Sequence, residues 1–434
     1  MRYIYSIITT ICRKIELEIK KSFLFNIIHT IFIYIENLLL NSHILKLYPQ
    51  KDKIKIKSKI LNEDLLSPPV VILVFSLFLI CGLSAVSSSL VITIIIGFIS
   101  FLLGALILPK FFLNNRLCEN QNGKNKFISF KVEDIYAIGF VLFIVALIFF
   151  CINIGYVKGI PLLKPSLRYQ LKAALTMPVF LIIPAIAIIE SVYIKYYQEN
   201  KLTRRAVRFR FLILTGVGII ILLFLAYRTP ILALILLMII IGYYGKVISL
   251  SEIIALGLIG IVGIISIGYI RSLNEMMISK STNPFYTLQD RAEFTLHVLD
   301  QINFLSGYFG IMHGGFLLKA LPGSDYGPRT IVGQLISWRS GVTITPTLIG
   351  GMLIDFGKVG VAVGMCLLGF ILGIGYKLVK ISQDYVYIGI YALILTYTIL
   401  GVETGILDLQ VILYFAVGAL VYIANIVYSN NAKK

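Results

Sequence analysis

Long apolar runs separated by brief polar punctuation dominate the chain from about residue 69 onward. A helix needs roughly 20 apolar residues to cross ~30 Å of hydrocarbon. Pro69–Ser87, Leu90–Leu108, Ile135–Ile154 and Gly405–Val427 meet that length plainly. Met177–Ile194, Phe211–Ala226, Pro230–Tyr244, Ile253–Ile270, Val359–Leu378 and Tyr385–Leu400 are shorter or interrupted runs of the same kind. Only helices and closed barrels satisfy their backbone inside a bilayer, and these runs have helical length. The pattern therefore predicts an all-α, polytopic integral membrane protein with about ten transmembrane helices and one long extracytoplasmic segment.

The boundaries divide the chain into four parts. Residues 1–68 are basic and amphipathic, with Ile7, Ile8, Ile11 and Ile15 at helical spacing and a second apolar stretch at Ser22–Leu40. They read as helices on the inner leaflet, with an extra span at Ser22–Leu40 as the alternative. Residues 69–270 hold spans one to seven, residues 271–358 form the long segment, and residues 359–434 hold spans eight to ten and a short basic tail. Within the long segment, Ile278–Asn303 is compatible with one helix that places Asp290, Glu293, His297 and Asp300 on one face. Gly307–Gly323 is glycine-rich and apolar, suited to the membrane interface, and Leu321–Arg329 reads as turns.

Composition supports the membrane assignment: 58% of residues are hydrophobic and 14% charged, too apolar for one water-soluble domain. The net charge of +18 could suggest nucleic acid, but its distribution excludes that partner. The basic excess falls in Lys51–Lys59, Lys110–Asp134 and the run Lys195, Lys201, Arg204, Arg205, Arg208 and Arg210, all on one side of the expected topology. That is the positive-inside distribution, which puts both termini in the cytoplasm of a multi-pass cell-membrane protein and gives anionic lipid as the contact. The five cysteines are scattered without metal or disulfide spacing, and no secretory signal peptide is expected after Met1.

Candidate chemistry lies on the opposite side. Arg228 sits in the minimal turn Tyr227-Arg228-Thr229-Pro230 between two apolar runs, where a cation must snorkel, pair or face a polar cavity. Arg168, Arg329 and Arg339 share that side, and guanidinium can grip phosphate with two parallel hydrogen bonds. Each alone is also the kind of arginine that meets a headgroup or a carboxylate. His297 and His313 offer a catalytic base near neutral pH, or are structural. The Asp290–Asp300 face could hold a divalent ion, although such faces are usually just solvated, and no metal is assigned. Asp355 could cap its helix or pair with an arginine, and Glu190 and Asp408 fall inside predicted spans where they should face protein. No nucleotide-binding motif appears, and the Ala85–Ser89 turn carries no acid.

Three landmarks carry a family resemblance: Gly159-Ile160-Pro161-Leu162-Leu163 followed by Arg168, the Tyr227-Arg228-Thr229 turn, and the late segment ending in Thr345-Pro346-Thr347-Leu348-Ile349-Gly350-Gly351 and Asp355-Phe356-Gly357-Lys358-Val359-Gly360. Together they resemble the oligosaccharide repeat-unit polymerases, the Wzy-type O-antigen polymerases, and in particular their archaeal branch, over roughly residues 69 to 425. The resemblance implies a cell-envelope transferase of polysaccharide biosynthesis acting on the outer face. It would pass a growing glycan from a polyprenyl or dolichyl diphosphate to a sugar hydroxyl of the next lipid-linked unit. It implies no metal or other cofactor. Its partners would be lipid-linked oligosaccharide, membrane lipids and other glycan-export proteins. Arg168 and Arg228 carry over as substrate-handling arginines, and Arg329 and Arg339 match less closely. A ligase that moves finished glycan, a flippase for lipid-linked sugars and a non-catalytic scaffold are the rival readings. A transporter should show two related halves with corresponding broken spans, and no internal repeat is visible.

Overall fold

The computed structural model describes residues 66–111, 130–249, 252–253, 256–257, 284–321, 326–336 and 343–431. The expected inner-leaflet helices, most of the seventh span and Arg339 lie outside these residues. Every regular element among those described is helical. They are α1 (Val70–Cys81), α2 (Ser88–Leu102), α3 (Val132–Val157), α4 (Ala173–Gln198), α5 (Arg204–Phe224), α6 (Thr229–Tyr244), α7 (Pro284–Ser306), α8 (Pro328–Ile336), α9 (Thr347–Ser382), α10 (Tyr385–Thr404) and α11 (Leu409–Asn431). Six stretches are long and apolar enough to cross a membrane: α2 with its extension to Phe111, α3, α4, α5, α9 and α10. Three shorter apolar helices, α1, α6 and the Leu409–Ala424 part of α11, fill further predicted spans. The protein is a polytopic membrane protein.

Polar capping residues start several of these helices. Ser87, Thr203 and Asp384 each accept a hydrogen bond from the backbone N–H three or two residues on, at Leu90, Ala206 and Val386. Each cap satisfies one of the orphan donors of a helix start and contributes about 1 kcal/mol. α1 is shorter than the run Pro69–Ser87 because Gly82 leaves the helix and Leu83–Ala85 forms a single tight turn.

α10 is the most enclosed span and α3 the least: 72% of the apolar stretch of α10 is buried against 11% of that of α3. α3 accordingly turns Ile138, Val141, Ile148 and Ile152 outward, as a lipid-facing helix does. In lipid, hydrocarbon is not driven off the helices, so association rests on close packing and buried hydrogen bonds. Both occur here. A Cβ placed on Gly104, Gly369 or Gly373 would collide with the carbonyl oxygens of Cys366, Phe101 and Ala105, so α2 and α9 touch backbone to backbone. A π turn at Leu103–Ile107 lies in this contact. Glu190, fully buried in α4, accepts a 2.8 Å hydrogen bond from Thr215 of α5, and thus faces protein as expected.

The two ends of the bundle differ. At one end Leu66 accepts hydrogen bonds from Tyr244 and Tyr391, and Arg204 and Arg208 both donate to the Val247 carbonyl. The long late segment belongs to the other end.

Candidate functional site

α9 is broken at that end. Phe356 and Gly357 leave helical geometry, and Gly357 adopts φ 60°, ψ −148°, so Thr347–Asp355 and Lys358–Ser382 are two helices in series. A side chain on Gly357 would also strike the Tyr308 carbonyl and the Gly310 nitrogen. The break exposes carbonyls on one side and N–H groups on the other, and a turn from the long segment satisfies both. Ile311 and Met312 donate to the Ile354 carbonyl at 2.8 and 3.1 Å, and His313 donates its backbone N–H to the Asp355 carbonyl at 2.9 Å. Gly307 and Tyr308 return carbonyls to the N–H groups of Lys358 and Val359, each at 3.2 Å.

Asp355 completes this joint. It is 3% exposed, and its carboxylate accepts from the backbone N–H groups of Gly314, Phe316 and Leu317 at 3.0, 2.8 and 2.9 Å. Of the two expected roles it takes the capping one, but on the one-turn helix Gly315–Leu318 and not on its own span. His313 sits on the exposed rim of the same turn with φ 47°.

Part of the polar face of α7 is used in packing. Glu293 accepts from Ser84 Oγ at 2.7 Å and Asp300 from Ser87 Oγ at 2.5 Å. Asn303 bonds Thr93 and Ser89. The serine-rich turn between α1 and α2 is thus the partner of two of the three acids expected on one helix face, Glu293 and Asp300, while Asp290 is exposed. Hydrogen bonds from Ser84 and then Gln289 pull the Glu293 carboxyl below its ordinary range. His297, exposed on this helix, meets Gln301 at 3.1 Å. No group of three or more metal-ligating side chains occurs among the described residues.

A separate cluster assembles the arginines. The loop after α3 is pinned to the end of α5 by Leu162 N–H donating to the Phe224 carbonyl at 3.2 Å. Its tight turn Pro165–Gln170 carries Arg168, whose guanidinium lies 5.2 Å from the Tyr227 ring centroid. Tyr227 packs edge-on against Phe180 at 5.1 Å. Burial raises the Tyr227 phenol, and the positive charges of Arg168 and then Arg329 oppose that shift. Arg329, at the start of α8, pairs with Asp408 at 2.5 Å. The Phe180 carbonyl also accepts from Tyr414 at 3.5 Å, and the Tyr414 ring packs at a tilt against Tyr397 with centroids 5.3 Å apart. These contacts link the turn after α3, the α5–α6 turn, α4, α11 and α10, and the Arg329–Asp408 pair links α8 to the turn before α11.

Arg228 follows Tyr227 directly; it is exposed, and its carbonyl accepts from Ile231 and Leu232 at the start of α6. Arg168, Arg228 and Arg329 therefore share one end of the bundle, Arg339 lies outside the described residues, and the two histidines belong to the α7 face and the α9 joint. Asp408 needs a correction. The apolar run Gly405–Val427 placed it within a span, but Gly405 ends α10 and α11 begins at Leu409, so Asp408 stands in the turn and its carbonyl accepts from Val411 and Ile412. Tyr227, Tyr397 and Tyr414 went unassigned in the sequence because an aromatic in an apolar run reads as ordinary core. A second ion pair, Arg291 with Glu403 at 2.5 Å, also joins α7 to the end of α10.

Comparison with known proteins adds the following. The family model described as "Putative O-antigen polymerase" matches residues 64–415. An uncharacterized protein of Methanocaldococcus jannaschii is 30% identical over 290 residues, which cover 66% of this chain and 76% of the relative. No solved structure matches.

Proposed function

Because the chain belongs to the O-antigen polymerase family and so to membrane glycan polymerisation, we propose that it joins lipid-linked oligosaccharide units on the outer face of the membrane. In this reading the donor is a glycan on a polyprenyl or dolichyl diphosphate and the acceptor is a sugar hydroxyl of the next lipid-linked unit. The end of the bundle that carries the arginine cluster faces outward, and both termini are cytoplasmic.

The placement of Arg168 on the Tyr227 face and of Arg329 on Asp408, at the same end of the bundle, supports the reading most directly. They come from two connections distant in sequence, and Arg228 stands beside them in a third. Breaking the bond between a sugar and a diphosphate leaves negative charge on the departing oxygen. Fixed guanidinium groups stabilise that charge without reorganising in the transition state. Arg168 and Arg329 act as the diphosphate clamp, and exposed Arg228 extends it. The Tyr227 face orients Arg168, and Asp408 orients Arg329. Both reacting molecules keep lipid tails, so a site at the rim of a membrane bundle suits them.

Deletion of the gene in its host tests this. Surface glycan is expected to lose its long chains while single lipid-linked repeat units accumulate on the outer face. Accumulation on the inner face would instead indicate a flippase, and unchanged glycan would remove both readings.

A further inference from the structure

The acceptor hydroxyl must lose a proton as it attacks, and the arginine cluster contains one carboxylate in direct contact with a guanidinium. We propose that Asp408 is the general base of glycan transfer, an inference that rests on the polymerase reading above.

Among the acids at this end it is the one paired with an arginine of the cluster, Arg329. Asp355 has both oxygens taken by backbone donors. Glu293 and Asp300 each have one oxygen engaged by a serine of the α1–α2 turn, Glu403 has one engaged by Arg291, and Asp290 is exposed on α7, so among the described residues none of these four meets Arg168 or Arg329. Asp408 offers a side chain 34% exposed, and among the described residues only its Oδ2 is engaged, by Arg329 Nη2. Oδ1 is the atom left for a hydroxyl. The turn between α10 and α11 holds the carboxylate in place, because its own carbonyl starts α11.

Arg329 uses one nitrogen for Asp408, and a guanidinium has further N–H donors for phosphate oxygens. One side chain thereby links the leaving group to the base. The acceptor oxygen bonds the anomeric carbon of the donor while its proton passes to Asp408. The bond from that carbon to the diphosphate oxygen breaks, and its electron pair leaves on the diphosphate. The proton then moves from Asp408 to the released diphosphate or to water, which restores the carboxylate.

The test uses the full-length protein in lipid vesicles with lipid-linked repeat units extracted from the host. Asp408→Asn keeps an oxygen for Arg329 but cannot take the proton. It is expected to slow elongation at saturating donor by roughly 100- to 10,000-fold, the usual worth of a positioned base. The donor KM and the binding of polyprenyl diphosphate should move less than about threefold. Should the Asn variant not accumulate, Asp408→Ala with added formate decides: the rate is expected to recover with formate, and no recovery overturns the assignment. An Asn variant within about tenfold of the natural protein overturns it, as does a raised KM at unchanged kcat, which is the signature of a group that only positions Arg329. If the natural protein itself elongates nothing, the polymerase reading falls and the base falls with it; normal elongation with an active Asn variant removes the base alone.

Discussion

The Arg329 guanidinium at the start of α8 closes on the Asp408 carboxylate, 79 residues later in the chain and one residue before α11. The pair ties the long connection to the last turn of the bundle, at the end where Arg168 covers the Tyr227 ring.

If Arg329 clamps phosphate, its loss should exceed that of a surface pair. Arg329→Ala is expected to lower glycan elongation by about 10- to 150-fold, corresponding to roughly 1.5–3 kcal/mol for a charge-assisted contact. Arg329→Lys, which keeps the charge and loses the planar fork, should fall in between. Arg291→Ala, which breaks the more exposed pair with Glu403, should leave elongation nearly unchanged. Chain-length distributions at equal protein abundance separate the three. Equal effects of Arg291→Ala and Arg329→Ala would contradict the clamp.

Tyr227 holds Arg168 by its ring face and not by its hydroxyl. Tyr227→Phe is therefore expected to keep activity within about twofold, since cation–π attraction needs only the ring. Tyr227→Leu should raise the donor KM by about three- to tenfold, in line with roughly 0.5–1.5 kcal/mol for the lost contact. Steady-state kinetics on both variants checks the order, and a Phe variant worse than the Leu variant would reverse the assignment.

Asp355 should matter for stability before it matters for catalysis. Asp355→Ala strands three backbone donors in a site that is 3% exposed, with an expected loss on the order of 3 kcal/mol or more. Thermal unfolding in detergent reads this directly. Asp355→Asn, with one oxygen still able to accept, should lose less.

The α2–α9 contact admits no side chain at Gly373, where a Cβ would meet the Ala105 carbonyl and the Pro109 ring. Gly373→Val is expected to push the two helices apart and to reduce the folded yield severalfold in membranes. Gly155 has open space around the same construction, so Gly155→Ala should be nearly neutral. Comparable losses at both glycines would argue against close packing as the cause.

Apolar run length and turn chemistry made most of the bundle legible in advance, because hydrocarbon demands long uninterrupted helices and punishes any other backbone. Arg168, Arg228 and Arg329 could be singled out for the same reason: a permanent cation near the membrane needs an explanation. Asp290, Glu293, His297 and Asp300 lie on one helix, as expected, but Glu293 and Asp300 meet serines of the α1–α2 turn, which local pattern cannot reveal.

The sequence by itself determined that this is a helical membrane protein, where its apolar spans run, and which side chains must seek polar company. Tertiary structure decided who that company is. Asp408 had to leave its predicted span and meet Arg329, Tyr227 had to turn its face to Arg168, and the Thr345–Gly357 motif had to become a half-helix closed by Asp355 and the Gly307–Leu318 turn. The physical reason is range. Burial in lipid acts residue by residue along a helix, whereas ion pairs, ring contacts and capping bonds join atoms from connections far apart in the chain, and only the packed bundle brings those atoms within 3 to 5 Å.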